Sequence, residues 1–263
     1  MKIGFIGCGN MGGALAISAA KSSGNHIYLN DKDSEKALAL AQKISAEVIS
    51  IRELAESCDM IFLGVKPQFM AEMLREITDS LAKRVDRFLL VSMAAGLSVS
   101  KIKAMAGDYP IIRIMPNLAV SVGEGTILYC SEGTSEEELS SFLKIMEFAG
   151  KLCPLPEELI DAGSAISGCG PAFAFLFLES LADGGVACGL PRAQAQLLAA
   201  QTLLGSAKLL QKSGKQPGEL KDAVCSPGGS TIAGVLKLEE SGFRAAAADA
   251  VLAAYRRTLE LGK

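Results

Sequence analysis

The chain has 263 residues, 49% hydrophobic and 21% charged, which is too apolar for a disordered polymer and enough to bury one large core or two modest ones. Its formal charge of −3 is spread over mixed-sign segments with no basic stripe, which excludes nucleic acid as an expected partner. Seven scattered cysteines without a C-x-x-C pair, and one histidine, His26, argue against a disulfide framework or a metal site and for reduced thiols in a cytoplasmic protein.

The N-terminal Met1–Gly7 runs straight into a glycine-rich turn, with no cleavage region of the kind that marks a signal peptide. Short β-rich runs then alternate with helical patterns. Strands are expected at Lys2–Ile6, His26–Asn30, Met60–Val65, Phe88–Ser92 and Ile111–Ile114. Helices are expected at Met11–Ser22, Ser34–Ile44 with Ser34 as cap, Ile51–Glu56, Gln68–Leu81 and Ser98–Ala106. Strands that are apolar throughout and separated by helices predict a parallel sheet covered on both faces. Two more β-like runs, Gly125–Tyr129 and Leu152–Leu155, flank a helix starting near Ser135, where Glu136, Glu137 and Glu138 supply first-turn acids.

After Pro156 the alternation stops, and the remainder reads as helices over Glu157–Ile166, Pro171–Cys188, Pro191–Lys212, Gly218–Val224, Thr231–Glu240 and Phe243–Leu261. The expected architecture is an α/β doubly wound domain over residues 1–155 and an all-α domain over 156–263. No charged residue occurs from Ala162 to Leu178, long enough to raise the question of a membrane. Gly168-Cys169-Gly170-Pro171 interrupts that run, Glu179 and Asp183 follow it, and basic flanks are missing, so burial in protein is the reading, without a membrane. The helices from Pro171 and Pro191 are apolar on more than one face, which a hundred-residue bundle cannot bury alone; self-association is expected.

The strongest local signal is Gly7-Cys8-Gly9-Asn10-Met11-Gly12, directly after the strand ending at Ile6 and opening a helix. Gly7 permits the tight turn, Gly9 lets a pyrophosphate approach the backbone, and Gly12 lets helix and strand pack closely. The phosphates then meet unpaired N–H groups at the positive end of the helix. The second strand ends in Asp31-Lys32. An acid there hydrogen-bonds the adenosine ribose and repels a 2′-phosphate, whereas Lys32 attracts one, leaving NADPH and NADH both open. Further strand ends on the same edge supply Val65-Lys66-Pro67, Ala95 with Gly96, and Asn117. In the helical half, Cys225-Ser226-Pro227-Gly228-Gly229-Ser230-Thr231 precedes a helix and makes an anion site suited to a carboxylate, or else a plain capped helix start. His26, far from the crevice edge, is read as structural.

These blocks, in this order and spacing, resemble pyrroline-5-carboxylate reductases across nearly the whole length. The resemblance is carried by Phe5–Gly12, Val65-Lys66-Pro67, Ala94-Ala95-Gly96, Met115-Pro116-Asn117, Ser167–Ala172, Ala182–Val186 with Gly189–Arg192, Pro217–Asp222, Ser226–Ile232 and Glu240–Arg244. It implies a Rossmann domain plus a helical domain forming an interlocked dimer, in some members built into a ring of dimers. It also implies reduction of 1-pyrroline-5-carboxylate to proline with NADPH or NADH. Carried onto this chain, the backbone of Gly228, Gly229, Ser230 and Thr231 holds the substrate carboxylate, and the Thr231 hydroxyl meets the ring nitrogen. The chain departs from the family at Asn117-Leu118-Ala119, where Asn-Thr-Pro is usual, and at Ser230, where Thr or Ala is common. A 3-hydroxy acid dehydrogenase would want a lysine early in the second domain, and none occurs between Lys151 and Arg192. A non-enzymatic dinucleotide sensor would not need the Ser226–Thr231 loop.

Overall fold

The computed structural model describes residues 1–261, and the apolar run at its start forms β1 (Lys2–Ile6). In chain order follow α1 (Asn10–Ala20), β2 (His26–Asn30), α2 (Ser34–Ile44), β3 (Glu47–Val48), α3 (Ile51–Ser57), β4 (Met60–Leu63), α4 (Pro67–Ala82), β5 (Leu89–Ser92), α5 (Val99–Ala106) and β6 (Ile111–Met115). Then come β7 (Gly125–Glu132), α6 (Glu136–Ile145), β8 (Gly150–Pro154) and α7 (Ile160–Ser167). The eight strands form one sheet in the order β3-β2-β1-β4-β5-β6-β7-β8.

Side chains of successive strand residues point to opposite faces, and this divides the core in two. Met60, Phe62, Leu89, Val91, Ile112 and Ile114 pack on one face with α1 residues Leu15 and Ala19. Ile61, Leu63, Leu90 and Ile111 pack on the other with Leu54, Leu74, Ile77 and Ile102 from α3, α4 and α5. Phe5 and Phe62 stack across neighbouring strands with ring centroids 4.4 Å apart. Each fully buried side chain of this size contributes about 1.5–3 kcal/mol of transfer free energy.

The sheet is mixed, not wholly parallel. β7 runs antiparallel to β6, and β8 runs parallel to β7. The reason is the length of the β6–β7 connection: Pro116–Glu124 holds only a 3₁₀ turn (Leu118–Val122), too short for a crossover helix, so the chain must turn back. β3 was not foreseen, because two residues carry no alternation. The cap of α2 is Asp33, whose carboxylate accepts the Lys36 N–H at 3.4 Å, and not Ser34. Ser135 does cap α6, in a reciprocal pair with Glu138.

Packing groups Met1–Gly168 with residues 255–261, and Cys169–Ala254 as a second compact unit. The β alternation ends at β8, as the pattern indicated, but α7 remains with the sheet. Arg113 on β6, its side chain 5% exposed, holds Asp161 on α7 at 2.9 Å and Glu157 at 3.2 Å. The second unit is helical: α8 (Gly170–Ala187), α9 (Arg192–Ser213), α10 (Pro217–Ala223), α11 (Ser230–Glu240) and the start of α12 (Phe243–Leu261). Its own buried cluster is small, Ala182, Ala195 and Ala199 with Leu178 and Val186 against them. Phe175, Leu176, Leu197, Leu198, Leu204 and Leu209 are exposed. Within the run Glu157–Ala187 an 18-residue window reaches a mean hydropathy of 1.5, enough by length and composition to cross a membrane, but the run breaks between α7 and α8.

Candidate dinucleotide and substrate site

The sheet's order reverses between β1 and β4, which lie side by side although β2 and β3 intervene in sequence. In such folds ligands bind outside the strand C-termini at that switch point. The glycine-rich turn stands there. Gly7 has φ +103°, and its N–H bonds Asn30 O at 2.7 Å; a Cβ on it would come within 2.7 Å of the Gly64 carbonyl after β4. A Cβ on Gly12 would stand 2.1 Å from Gly7 O, so α1 packs on the turn only without one. Gly9 is the opposite case: it is exposed and its Cβ position is open, the space through which a pyrophosphate would reach the backbone. Gly9 caps α1 without a side-chain bond, and the first turn carries no acid, so the turn fits an anion.

Ile6 and Cys8 are buried beneath the turn, and Asn10 is exposed beside it. The Cys8 thiol faces Asn30 O at 3.6 Å; burial first, and then the Asp31 charge, push it up to about 12. It is therefore a packing thiol, not a nucleophile. Asp31 has its carboxylate engaged with backbone: Oδ2 accepts from Cys8 N at 2.6 Å and Oδ1 from Asp33 N at 2.8 Å. Lys32 is exposed beside it. Val65 and the exposed Lys66 and Pro67 follow β4, with Lys66 as N-cap of α4, and exposed Ala95 follows β5 beside Gly96 at φ +74°. β1, β4, β5 and β6 are parallel neighbours, so all these loops share one edge. His26 opens β2 at the opposite edge.

Asn117 also stands on the crevice edge but is 9% exposed, and its amide makes two hydrogen bonds inside the protein. Nδ2 donates to Ser167 O at 2.9 Å, and Oδ1 accepts from Thr126 N at 3.1 Å. The exposed side chains of the loop that follows are Leu118, Ser121 and Val122, and Ser121 lines a cavity together with Cys8, Gly9 and Asn10. No residue-level signal in the sequence distinguished this use of the Asn117 amide from a ligand contact, because the partner Ser167 lies fifty residues away.

In the helical unit, Gly228 has φ +68° and Gly229 is the N-cap of α11 with no side-chain cap bond. Gly229 N donates to Ser226 O at 3.0 Å, closing the turn. Ser230 and Thr231 occupy the first helical turn, exposed, and neither acts as a cap. The plain capped start is therefore not what forms: the N–H groups of this helix end are presented without a side chain over them, as a carboxylate site requires.

A doubly wound sheet with an open, uncapped glycine-rich turn, followed by a helical unit with a second uncapped glycine turn before a helix, fits a two-domain dinucleotide-dependent oxidoreductase. Comparison with known proteins narrows it. Residues 157–261 match the pyrroline-5-carboxylate reductase dimerisation family, and residues 2–96 match the coenzyme F420-dependent NADP oxidoreductase family. The chain is 40% identical to pyrroline-5-carboxylate reductase of Escherichia coli (strain K12), covering 100% of this chain and 98% of that one. The crystal structure of Plasmodium falciparum pyrroline carboxylate reductase with NADP bound superposes with TM-score 0.85 at 33% identity, over 100% of this chain and 98% of that one. That of Coxiella burnetii pyrroline-5-carboxylate reductase does so with TM-score 0.92 at 29% identity, over 99% and 98%. The chain belongs to the pyrroline-5-carboxylate reductase family.

Proposed function

We infer that the protein reduces 1-pyrroline-5-carboxylate to proline with NADPH or NADH, the last step of proline synthesis. Whole-length membership in the reductase family carries this reading. The lysine-free stretch from Lys151 to Arg192 counts against a 3-hydroxy acid dehydrogenase, and the uncapped Gly228–Thr231 turn against a mere dinucleotide sensor.

The turn Ile6–Gly12 holds the dinucleotide's pyrophosphate on the N–H groups of α1. Asp31 and Lys32 read the adenosine end, Val65-Lys66-Pro67 flank the ribose and phosphates, and Ala95 leaves room for a flat ring. Bound there, the reduced nicotinamide supplies a hydride to the imine carbon of the substrate. The Gly228–Ser230 backbone anchors the substrate carboxylate. The Thr231 hydroxyl hydrogen-bonds the ring nitrogen, whose protonated form is the better electrophile, and steadies its change of charge. Most of the rate comes from orienting two flat rings, so no histidine or cysteine side chain is required.

Residues 157–261 are a dimerisation domain of this family. We assign the exposed leucines of α9 and the apolar run through α8 to that contact rather than to lipid. The seven cysteines are free, which suits a cytoplasmic protein. We place the change from β/α alternation to helices at 155–156, whereas by packing α7 stays with the sheet and the second compact unit starts at Cys169.

An assay of pyrroline-5-carboxylate-dependent NADPH or NADH oxidation, with proline measured as product, tests the activity. Folded protein that binds dinucleotide but turns over with neither cofactor would overturn it.

A further inference from the structure

We propose that Asn117 is a positioning residue that pins the last turn of α7 to the crevice edge of the sheet, and that the reaction depends on this pin. The role rests on the reductase reading of the crevice.

The final carbonyls of a helix have no partner within it, and where that end packs against protein something else supplies the donor. At α7 the donor is Asn117 Nδ2, 2.9 Å from the carbonyl of Ser167, the last residue of the helix. The Ser167 hydroxyl is turned back onto Gly163 O at 3.2 Å and contributes nothing to the link. On the other side, Asn117 Oδ1 accepts the Thr126 N–H at 3.1 Å, at the start of β7. One amide thus ties three segments together, and only a side chain with a donor and an acceptor at its tip does so at this length.

Asn117 lies two residues beyond β6, and β6 also holds the other end of α7 through Arg113 and Asp161. The helix is therefore braced at both ends by one strand and its following loop. The ion pair serves the end remote from the crevice. The neutral amide serves the end that leads directly into Gly168-Cys169-Gly170, at the edge where hydride transfer takes place. A catalytic edge displaced by a fraction of an ångström loses alignment without losing fold.

The test is Asn117→Asp followed across pH, beside Asn117→Leu. In Asn117→Asp the ionised carboxylate has no donor for Ser167 O, so at pH 8 kcat should fall about tenfold. The Ser167 carbonyl and the burial raise the pKa of that new carboxyl group. Ser167 and Thr126 carry no titratable side chain; the ionisable groups on the segments around them are Glu124 before β7, Cys169 after α7, and, at the far end of α7, Arg113 paired with Asp161 and Glu157. Once protonated, the carboxyl regains an O–H for Ser167 and keeps an acceptor for Thr126, so the ratio of its kcat to the parent's should recover towards one at low pH. Asn117→Leu should stay low throughout. The Kd of NADPH, read by its fluorescence without substrate, should stay within about twofold for both variants, because the amide is directed onto Ser167 and Thr126 within the protein.

A flat kcat ratio for Asn117→Asp across pH would overturn the proposal. So would a loss of NADPH affinity as large as the loss of kcat, which would make Asn117 a direct cofactor contact. A lowered Tm with kcat intact would reduce the link to a structural one. Absence of turnover in the parent would overturn the reductase reading itself, and would be seen without any variant.

Discussion

The Asp31 carboxylate accepts the Cys8 N–H at 2.6 Å and the Asp33 N–H at 2.8 Å, so the loop after β2 is tied to the glycine-rich turn after β1. The acid expected at the adenosine ribose also shapes the turn that receives the pyrophosphate. Asp31→Ser should therefore do two things: raise the ratio of NADPH to NADH efficiency, by removing a charge that repels a 2′-phosphate, and weaken both cofactors by loosening the turn. Lys32→Ala should lower the same ratio. The check is kcat/KM with each cofactor; an unchanged ratio in both variants would show that the adenosine end is read elsewhere.

Thr231→Ala should impair substrate use and spare the cofactor. Thr231 is the second residue of α11 and does not cap it, so its hydroxyl is not needed to start the helix. A hydrogen bond to a charged group contributes about 1.5–3 kcal/mol, and efficiency should fall roughly ten- to a hundredfold. Thr231→Ser should be far milder. Steady-state kinetics with dinucleotide affinity measured separately decide it, and a fully active Thr231→Ala would remove the hydroxyl from the mechanism.

Leu198 is 55% exposed and Leu204 46% exposed on α9, in a unit whose own buried cluster is three alanines. Leu198→Glu or Leu204→Lys should dissociate or unfold the protein, because a charge buried in an apolar contact has no partner. Light scattering is the measurement. A native monomer in the parent, or an unchanged assembly in both variants, would count against self-association through this face.

Arg113 is nearly buried and answers two acids, Glu157 and Asp161. Asp161→Ala leaves a buried guanidinium half-compensated and should cost about 3 kcal/mol, the low end of the range for such losses because both acids are partly wet. Chemical denaturation reads it. Stability within about 0.5 kcal/mol of the parent would show that water replaces the acid at no cost.

Burial holds the Cys8 thiol up to about 12 and the Cys58 thiol up to about 11. In the unfolded chain a thiol ionises near pH 8.5, roughly, so between that value and the native ones the unfolded state binds fewer protons. Stability should be indifferent to these two groups below about pH 8 and fall as pH rises from there towards 11. Both thiols should resist iodoacetamide at pH 8 until the protein is unfolded, with mass spectrometry locating the adducts. Rapid labelling of native Cys8 would show that the turn opens.

Where strands are short, apolar and bounded by glycine or helix caps, local pattern alone was sufficient: His26–Asn30, Ser34–Ile44 and the Gly7–Gly12 turn form as their residues indicate. Steric demands at Gly7 and Gly12 are local, and so they are legible in a motif. Three matters were decided only when the chain closed on itself. The direction of β7 follows from a connection too short for a crossover, which no strand sequence records. The alliance of α7 with the sheet follows from Arg113 meeting Asp161 forty-eight residues away. The use of the Asn117 amide follows from a carbonyl fifty residues on. Periodicity and motif spacing report on neighbours along the chain, whereas the partner of a buried polar side chain is set by which distant backbone group packing leaves without one.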